Sequence, residues 1–149
     1  MYVEYDFYKT TYGGELVPEN VWEAAEARAA LFVDRITFNR LQSTPPAHES
    51  HWISVRFAVC QVAEAMHAVK NYKLQALRSI NSGTAQGKVK SMTSGAESVT
   101  YSESSMNIGA YQAAAESPTA EESLYYSLAA PYLANIPDAR GINLLYAGA

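Results

Sequence analysis

The one local cluster of metal-ligating residue types is His48-Glu49-Ser50-His51. It does not have the spacing of the HExxH pattern, in which two imidazoles one helical turn apart share a face. The segment reads as a loop running into a helix start, and His67 lies too far along the helix that follows to complete a ligand set. Solvated loop histidines beside a helix cap are the expectation, with no metal.

A nucleophilic thiol would have to be Cys60, the single cysteine. It lies between Val59 and Val62 on an expected helix, with no helix start or cation cluster beside it, and reads as a small buried hydrophobe. Gly83 and Gly87 sit among Ser, Thr and Gln without the lysine and hydroxyl that a phosphate-binding loop needs. No GxSxG elbow is present. Asp34 and Glu64 could serve as a general acid or base if aimed into a pocket. On amphipathic helices such acids are expected to be solvated or paired with a basic neighbour, here Arg35 and Lys70. These residues predict no enzyme activity and no cofactor.

Tyrosine is the remaining anomaly: there are eleven, including Tyr2, Tyr5, Tyr8 and Tyr12 near the amino terminus, the pair Tyr125-Tyr126, and Tyr146. Tyrosine combines a large apolar area with a polar handle and is enriched where protein meets protein. For the amino-terminal group, core and interface are both open; for Tyr146 the expectation is an interface.

The elements that must position these residues are mostly helical. Residues 4 to 10 suit a short helix stopped by Gly13-Gly14. A long helix starts at Pro18, with Val21, Trp22, Ala25, Ala29, Phe32, Val33 and Ile36 recurring on one face. Residues 42 to 50 hold two prolines and make a loop. A second long helix spans about 50 to 77, with Val55, Val59, Val62, Met66, Val69 and Ala76 at helical period. Residues 102 to 117 are weakly patterned and read as a loop or arm. Ser117-Pro118 then caps a third helix, with Leu124, Tyr125, Leu128 and Tyr132 on one face and Pro131 to kink or split it.

Between these helices, Lys88 to Ser102 reads as a β-hairpin turning at Ser94-Gly95. Val89, Val99 and Tyr101 are its only bulky β-formers, so a neighbour must cover it. The last nine residues, 141 to 149, carry no charge. An apolar, uncharged segment of this kind is expected to dock on something.

With 149 residues and 48% hydrophobic content, the chain suits one domain with a modest core. A formal charge of −4 leaves no basic footprint for gripping nucleic acid or anionic lipid. The apolar-leaning runs are broken by charges, so no membrane span is expected. The first residues lack the basic start and apolar run of a secretion signal, and the single cysteine suits a reducing compartment, so synthesis in a cytoplasm is expected.

Several segments, in their order along the chain, resemble a family. These are the acidic-aromatic start ending in Tyr12-Gly13-Gly14, the run Asp34-Arg35-Ile36-Thr37-Phe38-Asn39-Arg40, the hairpin with Lys90-Ser91 and Ser98-Val99-Thr100-Tyr101-Ser102, and the closing Leu144-Leu145-Tyr146. Together they resemble the head-tail connector, or adaptor, proteins of tailed double-stranded DNA bacteriophages. The chain departs from that pattern at Met92, where an acidic residue is expected, and at Ala147, where an arginine is expected.

The resemblance implies a mainly α subunit: a helical bundle of two long helices plus shorter N- and C-terminal helices, with one inserted β-hairpin. It implies a virion protein of the neck that forms a ring with itself, usually dodecameric, between the portal and a stopper or tail-completion protein. Double-stranded DNA would pass through its channel without sequence-specific binding. Val89, Met92, Val99, Tyr101, Ile142, Leu144, Leu145 and Tyr146 are the expected partner and subunit contacts. The alternative reading is a small helical protein-binding or regulatory module.

Overall fold

The computed structural model describes residues 1–82 and 105–147, which are mainly helical. The expected hairpin and its residues Val89, Met92, Val99 and Tyr101 lie outside the described residues. The chain divides into two compact units, Met1–His67 with Tyr125–Ala149, and Ala68–Leu124.

In the first unit, α1 (Tyr5–Phe7) runs into a single π-helical turn, Tyr8–Tyr12, which Gly13 ends with φ +79°. Gly14 has a different task. A Cβ there would stand 2.1 Å from Tyr8 Cε2, so the absence of a side chain lets the phenol ring lie against the backbone. That ring is fully buried and stacks on Trp22, with centroids 4.3 Å apart.

The long helix α2 (Glu19–Ile36) begins after Pro18. Trp22, Ala25, Ala29, Phe32 and Val33 are buried, as the helical period predicts. Glu26 lies within this apolar stripe and is equally buried, and the Tyr2 backbone N–H donates to its Oε1 at 2.9 Å. Trp22 Nε1 donates to the Val3 carbonyl at 3.1 Å, so α2 holds the first residues by one bond from each partner.

A one-turn helix, α3 (Arg40–Ser43), precedes the loop to α4 (Glu49–Ser82), which starts close to the expected position and runs five residues beyond the expected end. Val55, Ala58, Val59, Cys60, Val62, Ala63 and Ala65 are all buried, so this stretch is covered on more than one face. Each fully buried valine contributes about 1.5–3 kcal/mol relative to an exposed one. Met66, in contrast, is half-buried and Ala76 is exposed.

The second unit contains the rest of α4, all of α5 (Ser105–Glu116) and the start of α6 (Pro118–Leu133). The stretch expected to be a loop or arm is thus largely helix. Its alanines have the highest intrinsic helix propensity, which does not depend on an apolar stripe. Tyr72 stacks on Tyr111 with centroids 6.4 Å apart, and Lys73 Nζ lies 3.1 Å from Glu121 Oε1. Ser117 Oγ accepts from the Ala120 N–H at 3.4 Å, the cap anticipated from Ser117-Pro118.

Pro131 does not split α6, which continues to Leu133. It forgoes one N–H bond to the preceding turn, but only two residues of helix follow it, so any bend it makes displaces little. The face retained in the core of the first unit is Tyr125, Ala129 and Leu133, with Leu128 and Tyr132 half-buried.

Candidate interface at the C-terminal segment

The segment after α6 is folded by turn chemistry. Asp138 N–H donates to the Ile142 carbonyl at 2.7 Å, and Gly141 N–H to the Asp138 carbonyl at 2.9 Å. Gly141 takes φ +84°, a conformation open to glycine without a Cβ penalty. The Asp138 carboxylate accepts from the backbone N–H of Arg140 at 2.8 Å and of Ile142 at 3.0 Å, closing the turn from inside. Leu144 N–H then donates to the Ile136 carbonyl at 2.9 Å. The Asn143 side-chain amide donates to the Ala134 carbonyl.

Arg40 clasps this segment from the far end of α2. Phe38 and Asn39, with φ +55° and +60°, both adopt the left-handed conformation and turn the chain out of α2 into α3. For a residue such as Phe38 that conformation costs about 1–2 kcal/mol. The corner puts Arg40 inside, where its side chain is 8% exposed. Arg40 Nη1 donates to three backbone carbonyls: Asn143 at 3.1 Å, Leu144 at 3.1 Å and Tyr146 at 2.6 Å. Bonds from a charged donor are about twice as strong as neutral ones.

The balancing charge is Asp138, whose side chain is fully buried 3.9 Å from Arg40 Nε. Thr44 Oγ1 donates to Asp138 Oδ2 at 2.7 Å, and the Arg140 guanidinium lies 3.2 Å away. Desolvation works to raise the acid's pKa. The bonds from Thr44, the Ile142 and Arg140 amides and the Arg140 side chain outweigh it and hold the carboxyl well below the ordinary range. A second backbone link, Ala139 N–H to the Thr44 carbonyl at 3.1 Å, ties the segment to the loop after α3.

Leu144, expected to contact a partner, is fully buried within its own chain. Within residues 141 to 147, Leu144 and the carbonyls of Asn143, Leu144 and Tyr146 are held by the chain itself. Ile142 and Leu145 are half-buried, and Tyr146 is 57% exposed. Phe38, 52% exposed, has its ring 5.3 Å from the Arg40 guanidinium carbon. One buried guanidinium therefore touches both an exposed ring and the backbone of an exposed tyrosine.

The other sequence candidates are placed as follows. His48 and His51 have ring centroids 5.3 Å apart, while Glu49 pairs with Arg56 at 2.8 Å. Among the described residues, no group of three His, Cys, Asp or Glu could hold a metal, and no helix is long and apolar enough to cross a membrane. Cys60 is buried, and desolvation followed by the charges of Glu64 and Glu26 pushes its thiol up to about 12. Asp34 accepts from Tyr2 OH at 2.5 Å and from Gln42 at 2.8 Å. Glu64 accepts from Tyr8 OH at 2.8 Å, and Tyr12 OH lies 3.2 Å from its other oxygen.

The amino-terminal tyrosines thus belong to the core and its margin, each tied inward by its hydroxyl. Tyr125 is core as well, edge-on to Phe32, whereas Tyr126 is 43% exposed. Arg40 enters the sequence analysis only as the end of a run, and Asp138 and Thr44 not at all. A sequence signal for part of this site exists in Pro137-Asp138-Ala139-Arg140-Gly141, a turn pattern with the acid placed to bond amides ahead of it. Comparison with protein-family models, curated proteins and solved structures finds no match.

Proposed function

We propose that this chain is a structural virion protein: a ring-forming head-tail connector that docks on a portal and contributes to the DNA channel between capsid and tail. The observation that carries the reading is the clasp between two segments on which the family resemblance rests. Arg40 closes the run from Asp34, and its guanidinium grips the carbonyls of Leu144 and Tyr146 in the closing run. Segments separated by about a hundred residues resemble the same family and meet at one buried cation.

Charge supports the same reading. A conduit for DNA should not hold phosphates, because each neutralised phosphate adds affinity through counterion release. A chain with formal charge −4 fits a surface that DNA passes. The partners on this reading are further copies of the chain in a ring, the portal, a stopper or tail-completion protein, and double-stranded DNA in transit. The exposed Tyr146, flanked by half-buried Ile142 and Leu145, is the tail surface offered to a neighbour.

Deleting the whole tail would remove buried Leu144 and confuse undocking with unfolding. The cleaner test substitutes Tyr146→Ala in the full chain. Native mass spectrometry and negative-stain microscopy of the protein, alone and with the portal encoded in the same genome, should show a ring on the portal for the wild type. Tyr146→Ala should weaken that docking while circular dichroism and Tm stay unchanged. Wild-type protein that stays a monomer beside an assembled portal would sink the connector reading and favour the small binding module. A monomer in the absence of portal would not, since rings can form only on their partner.

A further inference from the structure

We infer that residues 136–146 form a releasable strap, and that Arg40 is the positioning residue that holds it closed. The inference goes beyond the connector reading and does not depend on it. The strap's bonds to α3 and the loop after it are few and concentrated. Among the described residues they include the donations from Arg40 Nη1, the pairing of Arg40 with Asp138, the Thr44 bond to Asp138, and the Ala139 amide on the Thr44 carbonyl. Its remaining backbone bonds are internal, from Asp138 to Ile142, Gly141 to Asp138, Leu144 to Ile136 and Tyr146 to Asn143, except where the strap leaves α6 and the Ile136 N–H donates to the Leu133 carbonyl at 3.2 Å. The Asn143 side-chain amide on the Ala134 carbonyl also lies at that exit from α6, so the strap is hinged there and fastened beyond the hinge by Arg40 and Thr44, and a segment held this way can swing out as a unit.

The fastening has two further features of a device that opens. First, Nη1 carries only two protons for the carbonyls of Asn143, Leu144 and Tyr146, so at least one bond is shared and all depend on one nitrogen. Losing that atom's position loosens every carbonyl it serves. Second, the corner that aims Arg40 inward is a pair of successive non-glycine residues at positive φ, Phe38 and Asn39. Such a corner persists only while its surroundings hold it, so clasp and corner support one another. Leu144, buried and uncharged, is the plug that seats the strap.

Opening the strap would free the Asn143, Leu144 and Tyr146 carbonyls and expose Leu144. Closing it presents Tyr146 in one orientation, with its carbonyl 2.6 Å from Nη1. The strap is thus a two-state element whose closed form fixes the exposed tyrosine and whose open form frees it.

Hydrogen exchange tests this in the full chain. In Arg40→Gln, the Ala139 amide, which bonds across to the Thr44 carbonyl, should exchange about tenfold faster or more, and the Asp138, Leu144 and Tyr146 amides should follow because so short a bonded segment is marginal once released into water, while buried amides of α2 and of α4 before residue 67 keep their wild-type rates. Arg40→Lys, which restores a cation without the planar fork, should recover part of the protection. Asn39→Gly, which relieves the corner, should slow exchange of the same amides. Wild-type exchange rates in Arg40→Gln would overturn the proposal, as would acceleration of α2 and α4 amides along with the strap. Should Arg40→Gln not fold, native-state exchange of the wild type in low guanidinium decides. The strap amides must open together before the α2 amides, and opening only with global unfolding refutes the strap.

Discussion

The hydroxyl of Tyr8 donates to Glu64 Oε2 at 2.8 Å and accepts the backbone N–H groups of Leu16 at 3.1 Å and Val17 at 3.0 Å. One phenol therefore ties the π turn, the segment before α2 and the middle of α4 to one another. The hydroxyl is saturated, one proton given and two accepted. The ring and the Val17 amide are buried, so that amide has no water as a ready substitute, whereas Leu16 and Glu64 are more open.

Tyr8→Phe keeps the stack on Trp22 and removes only the oxygen. It leaves the buried Val17 amide without a partner and takes one bond each from the Leu16 amide and from Glu64, at an expected cost of about 1–3 kcal/mol. Urea unfolding followed by circular dichroism measures it, and a midpoint equal to wild type would mean that the bonded network contributes nothing.

Gly14→Ala should destabilise more than Gly13→Ala, although the reverse is expected from φ alone. Gly13 is at φ +79° with open space where a Cβ would stand, so alanine costs about 1–2 kcal/mol there. At Gly14 a Cβ would collide with the Tyr8 ring, whose Cε2, Cζ and Cδ2 all lie within 2.7 Å. Displacing that buried ring loosens its stack and its hydroxyl bonds together. Comparing the two Tm values decides the order.

Alkali should unfold the protein readily. Burial pushes the Tyr2, Tyr8 and Tyr12 phenols above their ordinary value; charge from Asp34 adds to the effect at Tyr2, and charge from Glu64 at Tyr8 and Tyr12. The Cys60 thiol is likewise raised, to about 12, chiefly by burial. The unfolded chain releases these protons near about 10 for tyrosine and about 8.5 for cysteine, while the folded chain keeps them. The unfolded state then binds fewer protons, so stability is full below about pH 8 and falls as pH rises beyond it. Urea midpoints that stay level from about pH 8 to about pH 11 would contradict this.

Acid acts on the C-terminal segment. With the Asp138 carboxyl held below its ordinary range, its contribution is full above about pH 4, the unfolded value, and is lost as pH falls from there towards the folded one. Asp138→Asn should lower Tm at neutral pH, because it leaves the buried Arg40 without its carboxylate. The gap between wild type and variant should narrow below about pH 4, and thermal scans across that range would expose a constant gap if the assignment is mistaken.

Much of this fold is legible from local pattern. The stripe from Trp22 to Val33 follows the helical period, Pro18 and Ser117-Pro118 mark helix starts, and Gly13 marks an end. α5 was obscured because its apolar residues are mostly alanines, which make no stripe although they favour helix. The Glu26 carboxylate in the α2 stripe and the Glu64 carboxylate on α4 defy the rule that acids face water. Each is bonded by groups from the first residues of the chain, which no helical period reveals.

The C-terminal segment divides the two kinds of information most sharply. Sequence alone supplied the expectation that the uncharged segment with Ile142, Leu144, Leu145 and Tyr146 would dock, since exposed apolar surface is costly. Only tertiary structure decided that the dock is the chain's own Arg40, more than a hundred residues away, and that Leu144 turns inward while Tyr146 stays exposed. Periodicity, caps and turn residues act over a few neighbours along the chain. The partner of a buried cation is selected by which segments the closed fold brings together, and no local pattern contains that choice.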